Sequence, residues 1–420
     1  MEFDRVLGTG LTPGGVYLIA GQPGIGKSTL LTQLAISIGT QISGSPRFAR
    51  DDTPPVIARR ETTKQSIQMD PPVKGTIARL CEDDSVKISN VLYICSEENV
   101  GQVATRIQRL ITTNTARQIT INNNIQLLNT SSVEAILSAI SHMPSAIRLC
   151  IVDSIQSIAT DNNPTSAGSP SQIRDCASLL IRAAKETNIP IIIVGHVTKE
   201  GTIAGPKLLE HMVDTVLELT GDRQHELRLL RGIKNRFGPT DETGIFRMTN
   251  GGLEEVSDPS KFLLEGRLKG TPGSILALVM EGTRPMTAEI QALVVDSAIP
   301  IPRRVAKGVN TNRLQLICAI LTKHLRLPLG TKDVFVNITG GLTVNEPGVD
   351  LAIALAIISS VKNKALPDSS ICFGELGLLG EIRSVAFGDR RLKEAKKLGY
   401  KHIYSPSTHP HLSKIIKNSK

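Results

Sequence analysis

Residues 14–39 read GGVYLIAGQPGIGKSTLLTQLAISIG, and no other stretch constrains the chain as tightly. Val16 to Ala20 is a short apolar run of strand character. Leu30, Leu31, Leu34, Ala35 and Ile38 recur at helical spacing, and Gly39 is a stop signal. Between them Gly21, Gln22, Pro23, Gly24, Ile25, Gly26, Lys27 and Ser28 match the phosphate-loop pattern, in the strand–turn–helix setting that pattern requires. The glycines let backbone N–H groups curl round phosphate oxygens. Lys27 reaches the β- and γ-phosphates, and Ser28, with Thr29 beside it, is the Mg²⁺ position. ATP and Mg²⁺ are therefore the expected cofactors, and Lys27 is a catalytic as well as a binding candidate.

Further strands are expected at Val91–Cys95, near Ile125–Leu128, up to Asp153, and in IPIIIVGH, which ends on His196. Helical spacing falls between them. Such alternation predicts an α/β fold with a mainly parallel sheet and both faces covered. Residues 40–89 differ: prolines, mixed charge and Ser/Thr without periodicity predict a flexible insertion. From Val213 the chain is rich in strands, with an Asn-Gly turn at Asn250–Gly251. SDPSKFLLEGRLKG reads as a linker. The expected organisation is an ATPase domain over 1–258 and a smaller α/β domain over 259–420.

In an open parallel sheet, ligands gather at the C-terminal strand ends. Asp153 ends one apolar strand, where a second Mg²⁺-shell carboxylate is expected in this class. Glu97 and Glu98 follow another. Glu97, the first after the strand, is the favoured base for orienting the attacking water, with Glu98 as its alternative.

Lys plus Arg exceeds Asp plus Glu by 48 − 39 = 9, which fits an anionic partner. Trp is absent and aromatics make up only 3%, so contact with nucleic acid would rely on phosphates more than on stacking. The six cysteines form no CxxC pair and several sit in apolar runs, which points to a reducing compartment and no zinc in this chain. The N-terminus MEFDRVLGTG is neither a signal peptide nor an anchor, and no apolar run is long enough to cross a bilayer. The expectation is a cytoplasmic protein without a membrane partner.

GQPGIGKSTLL, VLYICSEEN, VDSIQSI, GHVTKEGTIAGPKLLEHMVDTVLEL and KNRFG together resemble the bacterial RadA/Sms DNA-repair ATPases. DVFVNITGGLTVNEPGVDLAIALAIISS and GELGLLGEIRSV resemble the same family's C-terminal domain. The likeness covers essentially all of the chain outside 40–89. It implies a RecA-like ATPase core followed by a Lon-protease-like domain, and a homo-hexameric ring. It also implies binding of single-stranded and branched DNA, and branch migration beside a RecA-type recombinase. The family's usual N-terminal zinc module is not seen, since the sequence starts almost at the ATPase core. The alternatives are a lost module or a late start.

Lon-type peptidases carry a Ser nucleophile and a Lys base. Here the corresponding turn is EPGVD, with Gly348 at the serine position; Arg390, Arg391 and Lys393 lie where a base would be sought. Arginine stays protonated, so a non-proteolytic scaffold is expected, the rival being an ATP-dependent Lon-like peptidase or regulatory scaffold. The expected DNA contacts are Lys199 and Lys207 in HVTKEGTIAGPK, and Arg303 and Arg304 in the second domain. KNRFG, the family's signature, adds Lys234 and Arg236, which could face either a neighbouring subunit's ATP or DNA phosphates.

Overall fold

The computed structural model describes residues 2–39, 76–78, 91–113, 124–142, 144, 146–196, 204–221 and 226–417. Lys199 and nearly all of the expected insertion lie outside them. The chain divides into two compact units, Met1–Glu255 and Val256–Lys420.

The first unit begins with helix α1 (Glu2–Leu7), β1 (Val16–Gly21) and α2 (Lys27–Gly39). Next come β2 (Thr76–Ala78), β3 (Val91–Cys95), α3 (Val100–Thr113), β4 (Ile125–Asn129) and α4 (Val133–His142). They are followed by β5 (Leu149–Asp153), α5 (Pro170–Thr187), β6 (Ile191–His196) and α6 (Ala204–Glu210). The antiparallel strands β7 (Thr215–Thr220), β8 (Leu227–Asn235), β9 (Thr243–Thr249) and β10 (Gly252–Glu255) close the unit. Among the described residues one sheet of ten strands runs β10-β9-β8-β7-β1-β6-β5-β3-β4-β2. Strands β7, β1, β6, β5, β3 and β4 are parallel neighbours, which makes this a mainly parallel α/β fold.

Each central strand is buried along its whole length, as a sheet covered on both faces demands. One face packs Leu30, Leu31, Leu34 and Ile38 of α2 with Val103, Ile107 and Leu110 of α3. The other packs Ile136 and Ile140 of α4 with Ile173, Leu180 and Ala184 of α5. Helix α5 starts where the sequence signals it, with Ser169 Oγ accepting from Gln172 N and Pro170 in the first turn.

Helix α1 was not foreseen. Six residues are too short for a periodicity signal, yet Phe3, Val6 and Leu7 are buried, each burial contributing about 1.5–3 kcal/mol. The expected linker is also corrected. Within 257–270, Asp258 caps a helix, α7 (Pro259–Leu263), whose Leu263 is buried, and Ser260 Oγ accepts from Thr287 N. The Asp-Pro pair inside the stretch read as a linker is a helix N-terminus.

The second unit continues with β11 (Ser274–Glu281), β12 (Arg284–Asp296), β13 (Arg304–Lys307), α8 (Thr311–Leu325) and β14 (Lys332–Ile338). After these come α9 (Asp350–Lys362), β15 (Ser370–Cys372), the hairpin β16 (Glu375–Leu376) and β17 (Ile382–Arg383), α10 (Gly388–Lys397), β18 (His402–Tyr404) and α11 (Leu412–Lys417). Its mixed sheet runs β13-β14-β12-β11-β15-β18. Helix α9 is buried from Asp350 to Ser359 on every side, the mark of a core helix.

Candidate active site

Four neighbouring parallel strands end together. Gly21 of β1 is level with His196 of β6, and Cys95 of β3 is level with Asp153 of β5. The ends of these strands, with the turn after β3 and the start of α2, bring Lys27, Ser28, Glu97, Asp153 and His196 to one sheet edge, the edge where α/β sheets bind ligands.

The phosphate loop exposes Gln22, Pro23 and Gly24, while Ile25 and Lys27 are buried. Gly26 has φ +114, a backbone conformation that L side chains rarely adopt, so glycine is favoured there. Lys27 Nζ donates to Gly21 O (2.7 Å) and Gln22 O (3.0 Å) and lies 3.0 Å from His196 Nδ1. Burial lowers the Lys27 pKa to about 8, against the opposing pull of Asp153 and Glu97.

Asp153 is buried and accepts from Tyr93 Oη at 2.8 Å, with the Ser28 hydroxyl close enough to favour its charged form. Burial raises its pKa; the Tyr93 and Ser28 hydrogen bonds act against that. A hydroxyl and a carboxylate converging beside a phosphate loop suit a hard, oxygen-seeking cation, so Ser28 and Asp153 would hold Mg²⁺. When bound, that ion neutralises phosphate charge.

Glu97 accepts from Ser154 Oγ (3.0 Å) and faces His196 Nε2 (2.9 Å). Burial alone would raise its pKa, but hydrogen bonds from His196 and Ser154 outweigh burial and hold the carboxyl below its ordinary range. Glu98 points elsewhere, to Arg106, whose Nη2 donates to both carboxylate oxygens. The geometry thus separates two carboxylates that the sequence left as alternatives.

Two residues went unforeseen as site components. His196 bridges Lys27 and Glu97, two groups that follow different strands. Arg228 on β8, buried, donates through Nε to Ile25 O at 3.0 Å and so grips the phosphate loop from behind. A basic residue inside the apolar alternation of LRLLRGI was the available signal.

The chain is 41% identical over 405 residues to the DNA repair protein RadA of Halalkalibacterium halodurans, covering 96% of this chain and 76% of that one. It is 42% identical over 409 residues to the DNA repair protein RadA of Bacillus subtilis, covering 97% and 76%. The chain belongs to the RadA family. Residues 1–202 match the DnaB-like helicase C-terminal domain, and 307–409 match subunit ChlI of Mg-chelatase. A RadB recombinase crystal structure aligns with 61% of this chain and 97% of its own, at TM-score 0.40 and 19% identity.

In this RadA-family chain the KNRFG segment lies away from its own phosphate loop. Asn235 pairs with Thr215, and Thr215 with Tyr17, near the start of β1, whereas the loop follows its end. Lys234 Nζ donates to Glu210 O and Val213 O, each at 2.8 Å, and Arg236 pairs with Asp214 at 3.4 Å. Asn235 Nδ2 donates to Leu7 O, and Phe237 packs against Tyr17, so Asn235 and Phe237 fix the turn.

The remaining candidates fall elsewhere. Lys207 is exposed on α6. In the second unit Arg303 pairs with Asp333, and Arg304 donates to Lys332 O and Leu329 O. Arg313, which follows them in sequence, pairs with the buried Asp350. In the EPGVD turn, Glu346 forms a bidentate pair with Arg391, a residue with no exposed side-chain surface. Arg391 also donates to Leu278 O and to Ala386 O, and its guanidinium sits over Phe373. A Cβ on Gly348 would lie 3.1 Å from Arg391 Nη1.

Proposed function

We propose that this chain is a DNA-dependent ATPase of recombinational DNA repair. It binds single-stranded DNA and drives branch migration as a cytosolic homo-hexameric ring, working beside a RecA-type recombinase. The observation that carries this is the convergence of Lys27, Ser28, Glu97, Asp153 and His196 at one sheet edge, in a chain whose RadA relatives are DNA repair proteins. Phosphates of ATP lie on the loop N–H groups, with Lys27 against the β- and γ-phosphates. Glu97, held ionised, accepts the proton of the attacking water. His196 touches both Lys27 and Glu97, so it can relate phosphate position to the base.

Lys234 and Arg236 act away from their own nucleotide, across a subunit boundary or on DNA. Of these, Arg236 fits best. Its side chain is 58% exposed with a single long ion pair, whereas Lys234 Nζ donates to two backbone carbonyls. Lys199, Lys207, Arg303 and Arg304 are the proposed DNA contacts. The second unit is a non-proteolytic scaffold, because Gly348 supplies no nucleophile and Arg391 is held in an ion pair.

The test is ATP turnover with and without single-stranded DNA at low salt. Stimulation that fades as salt rises is expected, since phosphate contacts release counterions. Unstimulated turnover together with no DNA binding would defeat the proposal.

A further inference from the structure

The second unit holds a cavity of about 660 Å³ between the C-terminal half of α9, strand β18 and the segments that flank them. This volume lies within the range of sites that enclose small organic ligands. Its floor is apolar, formed by Leu355 and Ile358 of α9 and Ile403 of β18. Tyr404 and His409 stand side by side in the wall, ring centroids 5.1 Å apart and planes tilted by 40°. Burial, and then Lys414, hold the His409 imidazole below its ordinary pKa, so at neutral pH it is an uncharged ring. Lys362, Lys364 and Lys401 supply the charge. None of the lining side chains, among the described residues, is a carboxylate.

An apolar floor, two flat rings and a rim of one charge sign define a ligand with a flat body and an anionic end. We infer that this cavity binds a nucleoside phosphate, with the base against Tyr404 and His409 and the phosphate at Lys362 and Lys401. Aromatic rings accept any base through its face, and lysines hold phosphate as point charges. The same chemistry is offered by a free mononucleotide and by the phosphorylated end of a DNA strand. The site is separate from the phosphate loop and does not depend on the ATPase proposal.

The experiment uses the full-length chain carrying Lys27→Ala, which disables the phosphate loop, and N-methylanthraniloyl-AMP as a fluorescent probe. Saturable binding is expected. Adding Lys362→Glu and Lys401→Glu should weaken it about tenfold or more, since both reversed charges face the phosphate. Displacement by AMP alone assigns the site to free mononucleotides. Displacement by a 5′-phosphorylated oligonucleotide, and not by its 5′-hydroxyl form, assigns it to strand ends. Three results would overturn the inference: no saturable binding, binding indifferent to the charge reversals, or equal displacement by the 5′-hydroxyl strand. In the chain that keeps Lys27, the two reversals should leave ATP turnover unchanged. A parallel loss of turnover would show that these lysines support the fold, and would also overturn it.

Discussion

Two places in this molecule present charged side chains beside a tight turn, and they use them in opposite ways. At the phosphate loop, Glu97 and His196 remain partly exposed, and Lys27 is desolvated enough to have lost much of its basicity. At the EPGVD turn, Arg391 is fully enclosed and satisfied by Glu346, two carbonyls and an aromatic face. The first arrangement is costly alone and improves when an anion arrives. The second is complete within the fold. A site prepared for a ligand and a site closed on itself can therefore be told apart by where the charge is satisfied.

That contrast can be broken by substitution. Glu97→Gln should lower ATP turnover about 10³-fold while nucleotide binding and melting temperature hold, because only the proton acceptor is lost. Unchanged turnover would remove Glu97 from the base role. Arg391→Met should do the reverse. Stability of the second unit should fall by about 3–5 kcal/mol in chemical denaturation, with turnover per folded molecule preserved. Pairing it with Glu346→Leu should recover most of the loss, since no buried charge is then left alone. Arg228→Gln lies between the two cases. It removes one charge-assisted hydrogen bond to the loop backbone, so KM for ATP should rise about tenfold with a smaller change in kcat. A fall in kcat alone would mean that Arg228 does not position the loop. The smallest effect is a pH trend in stability without nucleotide. Lys27 titrates at about 8 when folded and at 10.5 as a free side chain, so between these values the unfolded chain binds more protons. The Lys27 contribution to stability should rise with pH across that window and be absent in Lys27→Met.

Much of the first unit was legible because its signals are local. A glycine-rich turn between an apolar strand and a helix needs no distant information, and Asp153 and Glu97 announce themselves by ending apolar runs. His196 was harder. Its role depends on β6 lying beside β1, and those two strands are far apart in sequence. Arg228 likewise contacts Ile25 only because β8 folds back to the phosphate loop. Glu98 is drawn to Arg106 on the following helix, a contact that the sequence alone does not report. In the second unit, sequence narrowed the search to Arg390, Arg391 and Lys393. Only the packing of α10 shows that Arg391 is the one turned inward. Charge partners across a core are a property of topology, and periodicity does not report them.

Gly348 leaves room for the guanidinium packed against it. A Cβ added there would lie 3.1 Å from Arg391 Nη1, so the guanidinium that holds Glu346 and Leu278 O would have to give by a few tenths of an ångström. A lone Gly348→Ser change would thus press on the Glu346–Arg391 pair at the position where it offered a hydroxyl. Placing a hydroxyl at this turn would therefore call for a second change at Arg391, so the missing side chain and the ion pair are tied to one another.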